Sequence, residues 1–309
     1  MFYPPRFAQT GIQLHEKPPM SARLAPAVFV LLWSTGYIAS KLGAPYAEPF
    51  TFLSLRFLAV LAILLPACLM LRAPWPRGRM ALHAGVAGVL IHGLYLGGTF
   101  WAIRNGMPAG VAALIVSLQP VTTALLALPL LGERIKPLHW LGLVVGLAGV
   151  GLVIAPRLGT GTVGELAGIR PATLLASGLS LITITLGTIY QKRAQAHVDL
   201  RTGTVLQFAG ALAVSSLIAF ATETRTVVWS RDFIIALAWL VLVLSIISIS
   251  LLMVMIRRSA VSQVAALFYL VPVVTVILAF VLFGETLTLV QLAGMGLVTG
   301  AVMLISRSR

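Results

Sequence analysis

The stretch AALIVSLQPVTTALLALPLLGE, residues 112–133, and the stretch VAALFYLVPVVTVILAFVLFGE, residues 264–285, decide how this chain folds. Slid over one another by 152 residues, they agree at ten of their last twenty-one positions. Pro120 falls on Pro272, Thr123 on Thr275, and Gly132-Glu133 on Gly284-Glu285. Two apolar helices share letters by chance, but a proline held twelve residues before a Gly-Glu pair in both copies marks an internal repeat. A weaker echo at an offset of 151 pairs Lys41 with Lys192 and Leu55-Arg56-Phe57 with Leu206-Gln207-Phe208. The repeat therefore extends over the whole of each half.

Around these copies the sequence is that of a membrane protein. Of 309 residues, 59% are hydrophobic and 10% charged, too few charges to solvate the exterior of a soluble domain of this size. The apolar residues gather into runs that fit a hydrocarbon core of ~30 Å at ~1.5 Å rise per residue. Ten such spans are predicted, near 24–41, 50–71, 80–103, 109–131, 137–155, 171–190, 203–222, 232–256, 260–283 and 287–305. The fold class expected is an all-α integral membrane protein of ten transmembrane helices. Five spans per half is an odd number, so the second half enters the membrane from the other side and the repeats are inverted. That architecture places a site near the midplane between the halves and suits alternating access. The expected divisions are a disordered tail over 1–21, a first repeat over 22–155 and a second over 171–306. The tail, MFYPPRFAQTGIQLHEKPP, is Pro-rich and polar, and Met20 directly before SARLAP reads as the start of the functional protein.

The formal charge of +14 needs no nucleic-acid partner to explain it. With the N-terminus inside, fifteen Lys and Arg fall on inner segments and six on outer ones, with Arg56 left within the second span. The positive-inside rule then puts both termini in the cytoplasm. The single cysteine, Cys68, lies in an apolar run and excludes a disulfide or a Cys-based metal site within one chain.

HGLYLGGTFWAIRNGMPAGVAALIVSLQP, followed by LLGERIKPLHWLGLVVGLAGVGLVI, with WSTGYIASKLG and LSLRF upstream, resembles the EamA-type members of the drug/metabolite transporter superfamily. The likeness extends over roughly residues 22–306, and its second copy ends in FGETLTLVQLAGMGLVTGAVMLI. The resemblance implies an inner-membrane transporter of small solutes, often an exporter of amino acids or related metabolites. It does not name the cargo.

Several residues are candidates for substrate binding. Lys41 sits at the outer end of the first span, and Arg56 lies about seven residues, or ~10 Å, into the second from the same side. A cation at that depth is costly in lipid, so Arg56 is expected to face a wet cavity or a partner, and the pair suits a carboxylate; snorkelling is the plainer role for Lys41. All eight acidic residues, Glu16, Glu48, Glu133, Glu165, Asp199, Glu223, Asp232 and Glu285, fall at span ends or in loops, which argues against proton-coupled efflux of bulky cations. His92 is the midplane group able to titrate near neutral pH, with a packing role as the alternative. Tyr95 stands one turn beyond it. Gln119 precedes Pro120, and Tyr269 stands three residues before Pro272. The two prolines are read as helix kinks beside a cavity, or as kinks for packing alone. Trp33, Tyr37 and Trp101 supply possible aromatic walls. The site is expected between Pro120 and Pro272, with the cations on its outer side. Gly93-x3-Gly97, Gly142-x3-Gly146 and Gly296-x3-Gly300 are read as close-packing surfaces, and Gly132 and Gly284 as helix C-caps.

The function expected is therefore a secondary transporter of a small polar metabolite such as an amino acid, moving outward by alternating access. The chain has no GxxxxGK[ST] loop to hold ATP. An intramembrane lipid-modifying enzyme is the rival, as is a multidrug or other-metabolite carrier of the same family. The enzyme would need clustered carboxylates or a His/Glu metal constellation, and histidines at 15, 83, 92, 139 and 197 do not supply one. No catalytic residue, metal or cofactor is expected, and the partners are a small solute and the bilayer.

Overall fold

The computed structural model describes residues 20–107, 112, 115–131, 136–159, 170–194, 198–258, 261–283 and 288–307. Among these the chain forms ten helical rods and no strand. They are α1 (Met20–Gly43), α2 (Pro49–Met70), α3 (Arg79–Arg104), α4 (Gln119–Leu131), α5 (Pro137–Gly159), α6 (Pro171–Ala194) and α7 (Leu200–Thr222). Then come α8, in the segments Arg231–Trp239, Leu240–Ser248 and Ile249–Arg258, α9, from Val261 to Phe283, and α10 (Leu289–Arg307). By length and composition α2, α3, α6, α7 and α8 are each able to cross a membrane, and α1, α5, α9 and α10 carry shorter apolar stretches. Their outward faces expose Leu58, Leu69, Leu175, Leu217, Phe220 and Val281, a surface suited to lipid and not to water. The Gly132 and Gly284 C-caps and the tail over 1–19 lie outside the described residues.

The helix contacts obey the repeat. Exchanging each helix of the first half for its counterpart in the second maps α3 on α7 to α8 on α2, α3 on α6 to α8 on α1, and α4 on α6 to α9 on α1. α2 with α7, α5 with α10 and α4 with α9 pair with their own counterparts. With five helices per half, the axis of this exchange lies in the membrane plane. Met20 and Arg307 then lie on one face, called here the terminal face, and the α1–α2 and α7–α8 loops on the opposite face.

The irregular turns repeat too. α3 opens into a π-helical turn over Val89–Leu94, and α8 does so over Leu240–Ser248, which begins 151 residues later. α4 is preceded by a turn at residues 117–118, and α9 narrows to a 3-10 turn at Leu267–Tyr269. These last two interruptions lie just before Pro120 and Pro272. A proline lacks the N–H for the helical ladder, and its ring crowds the carbonyl four residues back, so the ladder breaks there. Inside the bundle several hydroxyls turn back on their own helix, as in Ser34 to the Val30 carbonyl (2.7 Å) and Thr188 to the Ile184 carbonyl (3.0 Å), which satisfies their hydrogens there.

Glycine positions show where helices touch. A Cβ on Gly88 would lie 1.9 Å from the backbone oxygen of Gln207, and one on Gly210 would lie 2.3 Å from that of Gly85, so α3 and α7 meet backbone to backbone. Gly142 and Gly146 face Ile305, Ala301 and Tyr269 as close packing requires. Gly296 and Gly300 differ from expectation: among the described residues nothing lies within 4 Å of their Cβ positions. α10 meets α5 through Val298, Ala301 and Ile305 instead.

The loops of the opposite face are latched together. Glu48 accepts from the Thr224 amide (2.7 Å), the Thr224 hydroxyl (2.7 Å) and the Arg225 amide (3.1 Å). Glu223 accepts from the Phe50 and Thr51 amides (2.8 and 2.7 Å) and the Thr51 hydroxyl (2.7 Å), so it caps α2 from another loop. Ala47 and Val227 form an antiparallel bridge between the same loops. The Glu48 carboxyl is held below the usual carboxylate range, chiefly by the Thr224 hydroxyl.

Candidate functional site

Beneath that latch lies a cavity of about 40 Å³, walled by α1, α2, α3 and α8. α1 offers Trp33, Gly36 and Ser40, three and four residues apart and so on one face of a helix. α3 offers Tyr95, Thr99 and Phe100, and α8 offers Leu240 and Leu244. Arg56 of α2 enters this apolar surround at 4% exposure. Its Nε donates to Ser245 Oγ at 2.9 Å, its one hydrogen bond among the described residues, and no carboxylate among them pairs with it. A guanidinium has five N–H donors, so most of its capacity is unspent. The Tyr95 hydroxyl is its electrostatic neighbour.

A buried polar layer separates this cavity from the terminal half. His92 stacks on Phe208, with centroids 4.8 Å apart and planes at 13°, and Phe208 in turn meets Phe57. The Gln207 amide stands beside His92, and Arg56 is close enough to act on the ring electrostatically. Gln207 is the repeat counterpart of Arg56 at the offset of 151. The layer thus draws one side chain each from α2 and α7 across the pseudo-axis. His92 lies in the π turn of α3, and Ser245 and Ser248 lie in that of α8. A π turn widens the helix and re-aims its side chains, and such turns recur at functional positions.

The sequence-predicted residues divide into groups. Trp33, Arg56 and Tyr95 come together in the cavity, with His92 directly behind them. Trp101 is half-buried and lies outside the cavity lining. The side chains of Tyr37 and Lys41 lie outside the described residues. Gln119 is fully buried in a separate crevice with Thr188 and Phe268, and neither of its amide atoms has a partner among the described residues. Tyr269 does not reach either space: its ring lies against Gly146, and its hydroxyl donates to the Leu143 carbonyl at 3.0 Å. It packs α9 onto α5. The space therefore opens beside Arg56 and not between Pro120 and Pro272. Thr99, Phe100 and Ser245 were not singled out from sequence. The serines at 245 and 248 recur one helical turn apart in an otherwise apolar run, a signal that would have found them. No His, Cys, Asp or Glu grouping able to hold a metal occurs among the described residues.

Residues 21–155 and again 172–307 match the EamA-like transporter family. The chain belongs to that family. Its relatives include "Uncharacterized inner membrane transporter YedA" of Escherichia coli (strain K12), 30% identical over 91% of this chain and 89% of the relative. "Probable amino-acid metabolite efflux pump" of Salmonella typhimurium (strain LT2) is 28% identical over 86% of this chain and 88% of its own. "Aromatic amino acid exporter YddG" of Ancylobacter novellus is 33% identical over 45% of this chain and 48% of its own. A solved crystal structure superimposes with a TM-score of 0.75 at 22% identity, covering 93% of this chain and 97% of that one, and shares the fold. This EamA-like chain is a membrane transporter and not an enzyme.

Proposed function

We propose that the chain is a secondary exporter of a small zwitterionic or anionic metabolite, an amino acid foremost, across the inner membrane. The observation that carries this reading is Arg56: a cation at 4% exposure, facing a cavity, bonded to one serine and to no carboxylate among the described residues. A buried charge without a counterion is expensive, and a substrate carboxylate would supply one in bidentate form. Trp33, Tyr95 and Phe100 offer ring faces and edges to the rest of the solute. The names of two relatives, an amino-acid metabolite efflux pump and an aromatic amino acid exporter, support the same cargo. The excess of Lys and Arg on the inner segments supports a cytoplasmic position for both termini. The two repeats, 22–155 and 171–306, rock against each other about the α2–α7 and α5–α10 contacts.

The test is exchange in proteoliposomes with a panel of amino acids, each beside its amide. Wild-type protein should move the acids and not the amides. Arg56→Gln should remove that transport while leaving a folded, monodisperse protein, and Arg56→Lys should keep part of it. Transport by Arg56→Gln at the wild-type rate would overturn the reading.

A further inference from the structure

Gln119 opens α4 at 0% exposure, and neither its amide oxygen nor its amide nitrogen has a partner among the described residues. Thr123, one turn further on the same face of α4, is equally buried, and its hydroxyl is likewise without a partner among them. The internal repeat shows that packing does not require this amide. At the offset of 152 the counterpart of Gln119 is Val271, which is buried directly before Pro272 as Gln119 is before Pro120. An aliphatic side chain therefore fills the same place at the break before a proline. An amide buried without partners costs free energy, and such groups are rare in folded proteins.

The surroundings of Gln119 show what could meet it. It lines a crevice with Thr188, Leu252, Ile256 and Phe268, too narrow in this conformation for a water molecule to satisfy the amide. The Thr188 hydroxyl is turned back on the Ile184 and Thr185 carbonyls. Phe268 stands between the crevice and Arg56: its ring meets Trp33 edge to face, with centroids 5.4 Å apart and planes at 83°, and Trp33 lines the Arg56 cavity. Phe268 sits in the 3-10 turn of α9, where hydrogen bonds are poorer than in an α-helix, and such turns mark hinges. Towards the terminal face the crevice shares Ile256 with a cavity of about 90 Å³ between α6, α7 and α8, and a wider space of about 380 Å³ against Trp75, Pro76 and Met80 adjoins that one. The unpaired amide thus stands between the terminal spaces and the Arg56 cavity, with the Phe268 and Trp33 rings as the partition.

We propose that Gln119 determines specificity for the side chain of the solute: when the Phe268 ring turns away from Trp33, the crevice joins the Arg56 cavity, and the amide pairs with a hydrogen-bonding group at the end of that side chain. This rests on the reading of Arg56 as the anchor for the carboxylate. The solute class is then an amino acid with a long side chain that ends in a hydroxyl or an amide, its stem held between the Trp33 and Phe268 rings. A primary amide offers both donors and acceptors, so it suits either ending. An apolar side chain of the same size would leave the amide unpaired and is disfavoured for that reason.

The test is transport in proteoliposomes of amino acids paired by size, tyrosine beside phenylalanine and glutamine beside methionine. Wild-type protein should favour the polar member of each pair roughly tenfold in kcat/KM, the order expected of one buried hydrogen bond. Gln119→Met, which keeps the length of the side chain, should bring both ratios close to one. Because it removes an unpaired buried group, the same variant should raise the thermal midpoint by about 2–4 °C, where loss of a structural glutamine would lower it. A lower midpoint, unchanged ratios, an equal loss of turnover for both members of a pair, or no transport of any of these amino acids would overturn the proposal. The Arg56 reading fails separately. If acids and their amides move alike in wild type while Gln119→Met still levels the ratios, the side-chain site stands and the anchor falls. If Arg56→Gln abolishes transport while Gln119→Met leaves the ratios unchanged, the anchor stands and this site falls.

Discussion

Gly88→Ala tests the geometry on which the His92 layer behind the Arg56 cavity depends. A Cβ at residue 88 would lie 1.9 Å from the Gln207 carbonyl oxygen and 2.4 Å from its carbon, whereas ordinary contact begins near 3.4 Å. α3 and α7 would have to part by about 1.5 Å, and the obstruction is helix backbone, which cannot rotate away. Overpacking of this kind costs about 1–3 kcal/mol and sometimes more. Alanine's better helix propensity returns up to about 1 kcal/mol. A net loss of about 1–2 kcal/mol is expected, read as a fall in thermal midpoint of the detergent-purified protein. Because Gln207 and Phe208 move with α7, the stacking on His92 should loosen, and transport should fall in whatever fraction remains folded. Gly300→Ala is the control. Its Cβ position has no neighbour within 4 Å among the described residues, so the same exchange should leave stability unchanged or raise it by ~0.5–1 kcal/mol. Equal midpoints for Gly88→Ala and wild type would refute the backbone contact and the position of the polar layer with it.

Three other outcomes are expected. The depressed carboxyl of Glu48 contributes stability that is present above its ordinary value of 4.5 and is lost as pH falls through its lower folded value. Thermal midpoints between pH 6 and pH 3 should therefore drop less in Glu48→Gln than in wild type, and parallel curves would remove Glu48 from the latch. Ser245→Ala takes away the hydrogen bond that orients Arg56, worth about 1 kcal/mol in a membrane bundle, so KM for the solute should rise roughly fivefold with folding intact. Tyr269→Phe loses the bond to the Leu143 carbonyl and should cost ~0.5–1.5 kcal/mol in stability with KM unchanged; an altered KM would return Tyr269 to the site.

What the sequence revealed and what it hid follow from the physics of each feature. The spans and the repeat were legible because lipid demands long apolar runs, and because duplication preserved the prolines at 120 and 272. Arg56 was legible since a lone cation at that depth is rare whatever the fold. The π turns at Val89–Leu94 and Leu240–Ser248 were not, because they arise from how the backbone accommodates neighbouring helices and leave no residue signature. Tyr269 was misplaced for a related reason. Its distance from Pro272 along the chain is fixed, but the 3-10 turn that rotates its side chain towards α5 is a product of the fold. The glycine patterns show the same divide. Spacing identifies a small-residue stripe, yet only the packed partner decides whether it is used, as at Gly142 and Gly146, or faces open space, as at Gly296 and Gly300.

The two faces differ in a way that bears on the transport cycle. On the opposite face two carboxylates accept six hydrogen bonds across the α1–α2 and α7–α8 loops, and Arg104 adds a bond to the Ala44 carbonyl. On the terminal face the corresponding loops are joined by Thr202 donating to the Pro74 carbonyl at 2.7 Å, and it is there that the larger spaces lie. This is a conformation shut above Arg56 and more open below Gln207. To reach the other state the latch must part. Its bonds are exposed or half-buried, where water replaces them readily, so releasing all six costs at most a few kcal/mol. A solute shifts such an equilibrium only by its difference in affinity for the two states. In the transport cycle proposed above, a solute carboxylate that leaves water to meet the unspent donors of Arg56 would gain charge-assisted bonds that strengthen as water is excluded.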